Sequence, residues 1–294
     1  MHKYFTLLGA ALGAVLLSVT PVTTAWAEVS VGILAPRGEL LTITHWAEFG
    51  KYLGQEIGQP VTIQPLSPPK VIPNAKDGRV NFVLSHAGHT VTIQEQFGGT
   101  VLATLNSKAG AQFAGVIVAK QGSGITQTQQ LKGKNVMSLD KSAAGAYIFQ
   151  AYHLMQKGID PYRDLASFKE GKKQDDLILA VSSGLIDAAF VRTGVLENMA
   201  KEGKIKMSDF VIVDQRTDDG FPLVHTTQLY PEWYLTSIAG TPPELAQVVK
   251  AAALKLAATA PAAQAAEIKG FIEPLPLDTM KDALRALKLP PYDK

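Results

Sequence analysis

Lys134-Asn135-Val136-Met137-Ser138-Leu139-Asp140-Lys141-Ser142-Ala143-Ala144-Gly145-Ala146-Tyr147-Ile148-Phe149-Gln150 is the stretch on which the reading of this chain turns. It has the pattern of a short strand, a turn of small residues and then a helix. Ser142 is suited to cap that helix, and Ala143, Ala144 and Gly145 leave its first N–H groups uncovered. Bare N–H groups at the positive end of a helix form a site for an anion. The same letters also fit an ordinary capped helix packed on a sheet, so the rest of the chain has to decide between the two.

Outward from this stretch, strands and helices alternate. Val29–Leu34, Val61–Pro65, Val80–Leu84, Thr100–Leu105 and Ala114–Ala119 read as strands, and the helices fall between them. The helix Leu41–Ile57 places Ile43, Trp46, Phe49, Leu53 and Ile57 three or four apart. A second strand–helix set runs through Asn135–Leu139, Gly145–Gln156, Leu165–Lys169, Gln174–Ser183, Ala188–Val191, Gly194–Gly203 and Phe210–Val213. Helices are expected at Pro243–Ala258 and Leu277–Leu287. Such alternation predicts an α/β fold with parallel sheets. Two sets joined by a chain that leaves and returns predict two lobes and a cleft. The crossings are placed at Val118–Ser123 and Val213–Phe221, where Gln121-Gly122-Ser123-Gly124 and Asp218-Asp219-Gly220 are flexible in composition. The expected division is a signal peptide over 1–27, one lobe from 28–117 and 221–294, and a second lobe from 118–220.

The N-terminus carries His2 and Lys3, an apolar run from Tyr4 to Val19, and Ala25-Trp26-Ala27 before Glu28. That order is the pattern of a secretory signal peptide cut after Ala27. The run is short of the roughly 20 residues that span a bilayer, so no stable membrane insertion is expected after cleavage. Removing Lys3 with no acid lowers the formal charge from +2 to +1. Nothing in that balance points to nucleic acid. The chain has no cysteine, which excludes disulfides, thiolate metal sites, a cysteine nucleophile and a lipid-modified cysteine. An exported chain of this size without disulfides fits a bacterial periplasm, and a monomer is expected.

In an open α/β sheet, ligands sit beyond the carboxyl ends of the strands. Those positions carry Arg37 after the first strand, then Ser85, His86, His89 and Thr90 after the third. Ser142 to Tyr147 (Ala143, Ala144, Gly145 and Ala146 between them) follow Asp140, Arg192 and Thr193 follow Val191, and His225 lies in the return segment. No acid stands among them before Glu232. A guanidinium fork, neutral donors and bare N–H groups are what an oxyanion site needs. Each has a plainer reading. Arg37 also fits a solvated loop charge, His225 a satisfied core histidine, and His86 with His89 a metal pair lacking a third ligand. Trp46 and Phe49 read as core, and Trp233 as a packing residue. No nucleophile elbow, P-loop or dinucleotide fingerprint is present, so no catalytic residue and no cofactor are assigned.

Gly32-Ile33-Leu34-Ala35-Pro36-Arg37, His45-Trp46-Ala47-Glu48-Phe49-Gly50-Lys51-Tyr52-Leu53, Val80-Asn81-Phe82-Val83-Leu84-Ser85, the Ser142 turn and Asp187-Ala188-Ala189-Phe190-Val191-Arg192-Thr193-Gly194 together resemble the phosphonate-type periplasmic solute-binding proteins. His225, Leu229-Tyr230-Pro231-Glu232-Trp233 and Leu289-Pro290-Pro291-Tyr292 are similar to the sensory branch, that of tetrathionate-sensing kinases and of accessory binding proteins in arsenic-responsive two-component systems. The resemblance implies a type II periplasmic binding fold, with two α/β lobes on a two-strand hinge that close on a ligand. It implies that Ser142–Tyr147 bind the oxyanion, that Ser85–Thr90 face them with Arg37 beside, and that Arg192 and Thr193 close the site.

Two departures favour a small inorganic oxyanion over an aminoalkylphosphonate. Ala143 and Ala144 stand where further hydroxyls are common, and Arg192 and histidines stand where acids would hold an amino group. Lack of cysteine argues against thiolate capture of arsenite. The expected ligand is phosphate, phosphite, arsenate or a sulfur oxyanion, and the closed form is expected to be presented to a sensor histidine kinase or an ABC permease. The alternatives are an enzyme for an organic phosphate or pyrimidine-like substrate, and a metal-binding protein through His86 and His89. Arg192→Ala is expected to abolish binding and leave the fold intact.

Overall fold

A computed structural model describes residues 28–294; the expected signal peptide lies outside the described residues. Among the described residues there are thirteen strands, in chain order: β1 (Val29–Leu34), β2 (Val61–Leu66), β3 (Phe82–Ser85), β4 (Thr100–Ser107), β5 (Gln112–Phe113), β6 (Gly115–Lys120), β7 (Asn135–Ser138), β8 (Ser167–Glu170), β9 (Ala188–Arg192), β10 (Phe210–Ile212), β11 (Tyr230–Pro231), β12 (Tyr234–Ser237) and β13 (Ile268–Ile272). Six form one sheet in the order β13-β4-β12-β3-β1-β2, and five form a second, β10-β6-β9-β7-β8. β5 and β11 pair with each other between the two.

β1 is nearly all buried and pairs in parallel on both edges, with β2 and β3. A strand covered on both faces reads as a continuous apolar run, as Val29–Leu34 does. The helix Glu39–Ile57 lays Trp46, Phe49 and Leu53 on this sheet and stops at Gly58, which takes the left-handed conformation at φ 73°. Burying one such side chain fully contributes about 1.5–3 kcal/mol. Ile43 on the same helix is 46% exposed, so the apolar stripe is narrower than its spacing suggested.

The sheets are mixed rather than all parallel. β6 runs antiparallel to β9, and β12 antiparallel to β3 and β4. These are the two strands by which the chain enters the opposite sheet, so each arrives against the grain. β12 and β13 had no clear strand signal. Tyr234–Ser237 is four residues long after a proline, and Ile268–Ile272 is interrupted by Lys269 and Gly270.

Sheet membership changes at β5 and β11, not at the expected crossings. All of β6 belongs to the second sheet, including Gly115–Ile117. The return segment stays bound to it as far as Thr227: the Thr226 hydroxyl accepts from Ile117 N–H at 2.9 Å, and that of Thr227 from Gly115 N–H at 2.9 Å. The flexible tetrapeptides mark turns within the second lobe. The true crossings are two extended residues each, paired as Phe113–Tyr230 and Gln112–Pro231, and carry no loop composition. Phe149 stacks on Tyr230 at 3.7 Å beside this ladder, with Phe113 5.0 Å away. The Asp278–Ala286 helix packs on both Ala87–Phe97 and Ile148–Gln156, one helix from each lobe.

Candidate functional site

The stretch after β7 does not form one capped helix. Ala144–Ala146 makes a single tight 3₁₀ turn, Tyr147 breaks it at φ −156°, and the α-helix begins at Ile148. Ser142 is not the cap. Its N–H donates to the Asp140 carboxylate at 2.9 Å, and its hydroxyl turns to the same carboxylate. The Asp140 carboxylate two residues back accepts from both Ser142 donors and draws the serine into an Asx turn, away from the helix N–H groups it would have capped.

The turn is held from behind by Gln150, which is fully buried. Its amide NH₂ donates to the carbonyls of Gly145 and Val191 at 2.8 Å each, and to that of Val116 at 3.2 Å. The Ala146 carbonyl accepts from Leu139 N–H at 3.1 Å. Both carbonyls are drawn inward, and peptide planarity directs the N–H groups of the same two peptides the other way. Ala143–Ala146 form one wall of a cavity of about 50 Å³ between the lobes.

His86, at the start of the Ala87–Phe97 helix, faces that wall from the first lobe. Its Nδ1 accepts the His89 N–H at 3.4 Å, and the two rings stack with centroids 3.9 Å apart. Accepting at Nδ1 fixes the Nε2–H tautomer, so His86 presents a neutral donor. Burial, then His89 and Arg192, hold its pKa well below the usual histidine range. Burial brings His89 to about 4, opposed by Asp140 across the cleft. Nδ1 of His89 is buried without a partner. Both histidines therefore take up protons more readily in the unfolded chain. Stability is full above about pH 6.5 and falls as pH drops toward about 4. The expected slope is about 1.4 kcal/mol per pH unit for each histidine. Melting temperature followed from pH 7.5 to 4 checks this, and His89→Gln should flatten the slope; a variant with the full slope would place the titration elsewhere.

Arg192 closes the cavity floor. Its Nη2 donates to Glu232 Oε1 at 2.9 Å, and its guanidinium lies over the Phe113 ring at 4.5 Å. Glu232 Oε2 takes the Trp233 N–H at 3.2 Å. The Arg192 N–H donates to Gln174 Oε1 at 2.7 Å, which leaves the Gln174 NH₂ toward the cavity it lines. Phe113, Gln174, Glu232 and Trp233 are the residues that sequence reasoning missed. Glu232 was visible as an acid near a strand end, and Trp233 passed for a packing residue. Phe113 and Gln174 carried no signal.

The remaining expected residues lie elsewhere. Arg37 stands at the mouth, 42% exposed, with Nη2 3.3 Å from both Asp175 and Glu202 of the other lobe; Lys204 pairs with the same two acids. It clamps the lobes rather than lining the inner cavity. The Ser85 hydroxyl is buried without a partner. Thr90 turns back to the His86 carbonyl at 3.4 Å. Thr193 exchanges bonds with Ala114 at the hinge, at 3.0 and 3.4 Å. The Tyr147 hydroxyl meets that of Tyr162 at 3.2 Å. His225 uses both ring nitrogens, on the Leu223 carbonyl at 3.0 Å and Asp219 at 2.9 Å; the plainer reading holds for it. Among the described residues no cluster of three or more His, Asp or Glu side chains is placed to hold a metal, so His86 and His89 have no third ligand. No described helix is long and apolar enough to cross a membrane.

Two mixed sheets, crossover strands that enter antiparallel and a donor-lined cavity at the hinge define a type II solute-binding fold. The chain belongs to the family described as the periplasmic substrate-binding proteins of phosphonate ABC transporters, whose profile matches residues 33–278. It is 33% identical over 243 residues to the tetrathionate sensor histidine kinase TtrS of Salmonella typhimurium, covering 80% of this chain and 41% of that protein. It spans about two fifths of the length of this relative. The structure is similar to PhnD1 from Prochlorococcus marinus, solved with methylphosphonate (TM-score 0.72, 16% identity, 89% of this chain and 98% of the other). It is equally similar to XAC2383 from Xanthomonas citri, solved with ATP (0.72, 18%, 89% and 98%). At those identities the likeness is one of fold.

Proposed function

We propose that this chain is a periplasmic solute receptor that traps a small oxyanion between its lobes and presents the closed form to a sensor histidine kinase. The observation that carries the reading is the inner cavity itself. A backbone turn whose carbonyls are tied away by Gln150 and Leu139, a guanidinium and a neutral histidine converge on it from opposite lobes. Anion, turn N–H groups and Arg192 would form charge-assisted bonds in a site walled by both lobes, where such bonds are stronger than in open water. The sulfur oxyanion named for the relative is one of the ligands this reading includes.

The kinase is favoured over a permease by the 33% identity to a sensor kinase, against structural neighbours of 16–18%. The clamp of Arg37 on Asp175 and Glu202 joins the lobes only when they are closed, so it gives a partner a surface that reports occupancy. Nothing in the cavity has the nucleophile–base geometry of an enzyme, and the proposal is binding without turnover.

A thermal-shift series over phosphate, phosphite, arsenate, sulfate, thiosulfate and tetrathionate, followed by calorimetry, tests it. At least one is expected to bind at 1:1 stoichiometry and raise the melting temperature. No response to any would remove the reading, and release of a product would replace it with catalysis.

A further inference from the structure

The last helix, Asp278–Ala286, is fastened to the two lobes in different ways. Its apolar residues recur at Leu277, Met280, Ala283, Leu284 and Leu287, one stripe along a helix. Met280, Ala283 and Leu284 are buried. They share one apolar cluster with Ala87 and Val91 of the first lobe and with Ile148, Phe149 and Ala151 of the second. Toward the first lobe this segment also makes directed polar bonds. The Tyr234 hydroxyl donates to the Leu275 carbonyl at 3.0 Å, the Leu275 N–H donates to the Thr104 hydroxyl at 2.9 Å, and Lys281 Nζ donates to Glu95 at 2.7 Å. Toward the second lobe, among the described residues, it makes no hydrogen bond or ion pair.

Hydrogen bonds weaken steeply with angle and so hold one geometry, whereas apolar contact is non-directional. The helix is therefore fixed on the first lobe and rests on the second by burial alone. The surface it rests on is the Ile148–Gln156 helix. That helix starts where the small-residue turn ends, and it carries Gln150, which holds the turn. The chain passes between the lobes at β5 and β11, so opening there turns the second lobe beneath a helix that cannot follow it. In the closed arrangement the shared face is covered; turning the lobe uncovers part of it, at a cost in proportion to the apolar area exposed.

Resting on the two-lobe receptor reading above, we infer that Asp278–Ala286 is a strap that favours the closed lobes before any anion arrives. Its contact with the second lobe offsets part of the cost of closing. Apparent affinity depends on the fraction of molecules already in the binding form, so the strap tunes affinity for every ligand alike. None of its residues lines the inner cavity.

Interlobe distances test this without a ligand. The chain has no cysteine. Spin labels at Leu40→Cys in the first lobe and Leu185→Cys in the second, both exposed, therefore report one distance by double electron–electron resonance. The protein is unfolded in urea and refolded in a zwitterionic buffer to clear carried anions. The wild type is then expected to hold the distance of the closed arrangement in about a tenth of the molecules or more. Met280→Ala and Leu284→Ala should each lower the ratio of closed to open about tenfold. Val249→Ala makes a cavity of similar kind in the first-lobe core and should leave the ratio unchanged, which separates the strap from a general loss of stability. An anion-free wild type that is wholly open overturns the inference. So does an unchanged ratio in a folded strap variant, or an equal fall in Val249→Ala. If neither strap variant folds, the wild-type distances decide alone. None of these outcomes requires an anion to bind, so each leaves the receptor reading standing.

Discussion

Arg192→Ala is expected to lose conformational stability as well as ligand affinity. The expectation from sequence, an intact fold with a silent site, does not survive the position of Glu232. That carboxylate is 4% exposed, with Arg192 Nη2 on one oxygen and the Trp233 N–H on the other. Removing the guanidinium leaves a charge in the cleft with one backbone bond. Breaking a buried pair in this way costs about 3–5 kcal/mol. With Arg192 itself 26% exposed, the low end of about 3 kcal/mol is appropriate. The stacking on Phe113 is lost as well.

The double variant Arg192→Ala with Glu232→Ala removes the orphaned charge and should recover half or more of that loss. Affinity for the anion stays reduced in both variants, by about 10- to 100-fold for one charge-assisted contact. Urea unfolding midpoints and calorimetry on the single and double variants separate the two effects. Equal stability of single variant and wild type would show that the pair does not support the fold.

Gly145→Ala is expected to do comparable damage with one methyl group. A Cβ there would stand 2.8 Å from the Cβ of Arg192 and 2.8 Å from the Phe113 ring. The glycine is not required by its backbone conformation, since its φ is not positive; the requirement is space. The turn cannot retreat, because Gln150 holds the Gly145 carbonyl from behind at 2.8 Å. Overpacking of this kind costs about 1–3 kcal/mol. The strain falls on the two side chains that form the cavity floor, so affinity should drop on the order of tenfold or more. A Gly145→Ala protein with wild-type stability and binding would show that the turn is free to move, and would weaken the view of it as a rigid anion cradle.

Much of the fold was legible because it depends on local pattern. The β-branched run at Val29–Leu34, the short apolar run at Ala188–Val191, and the spacing of Trp46, Phe49 and Leu53 are signals carried by neighbouring residues alone. The small-residue turn at Ala143–Ala146 was visible for the same reason, and it does line the cavity. The crossings were misplaced because glycine-rich composition marks any tight turn, whereas a hinge of two paired residues needs no special composition.

The site was harder to read. Ser142, Thr90, Thr193 and His225 have the chemistry of ligand-binding groups, but each spends it on a bond inside the protein. Which partner takes a hydroxyl depends on what lies 3 Å away, and for Thr193 that is Ala114, 79 positions distant.

The sequence by itself determined an α/β protein with a small-residue turn and a set of basic and hydroxyl groups at strand ends. Hydrophobic period and turn chemistry act over a few residues, so they can be read from letters. Only the tertiary structure decided the character of the cavity. It set Glu232 against Arg192 across 40 positions, stacked His86 on His89 away from solvent, and brought Phe113 and Trp233 in as walls. Charge cancellation and desolvation are properties of distances between elements, and those distances exist only once the two lobes are packed.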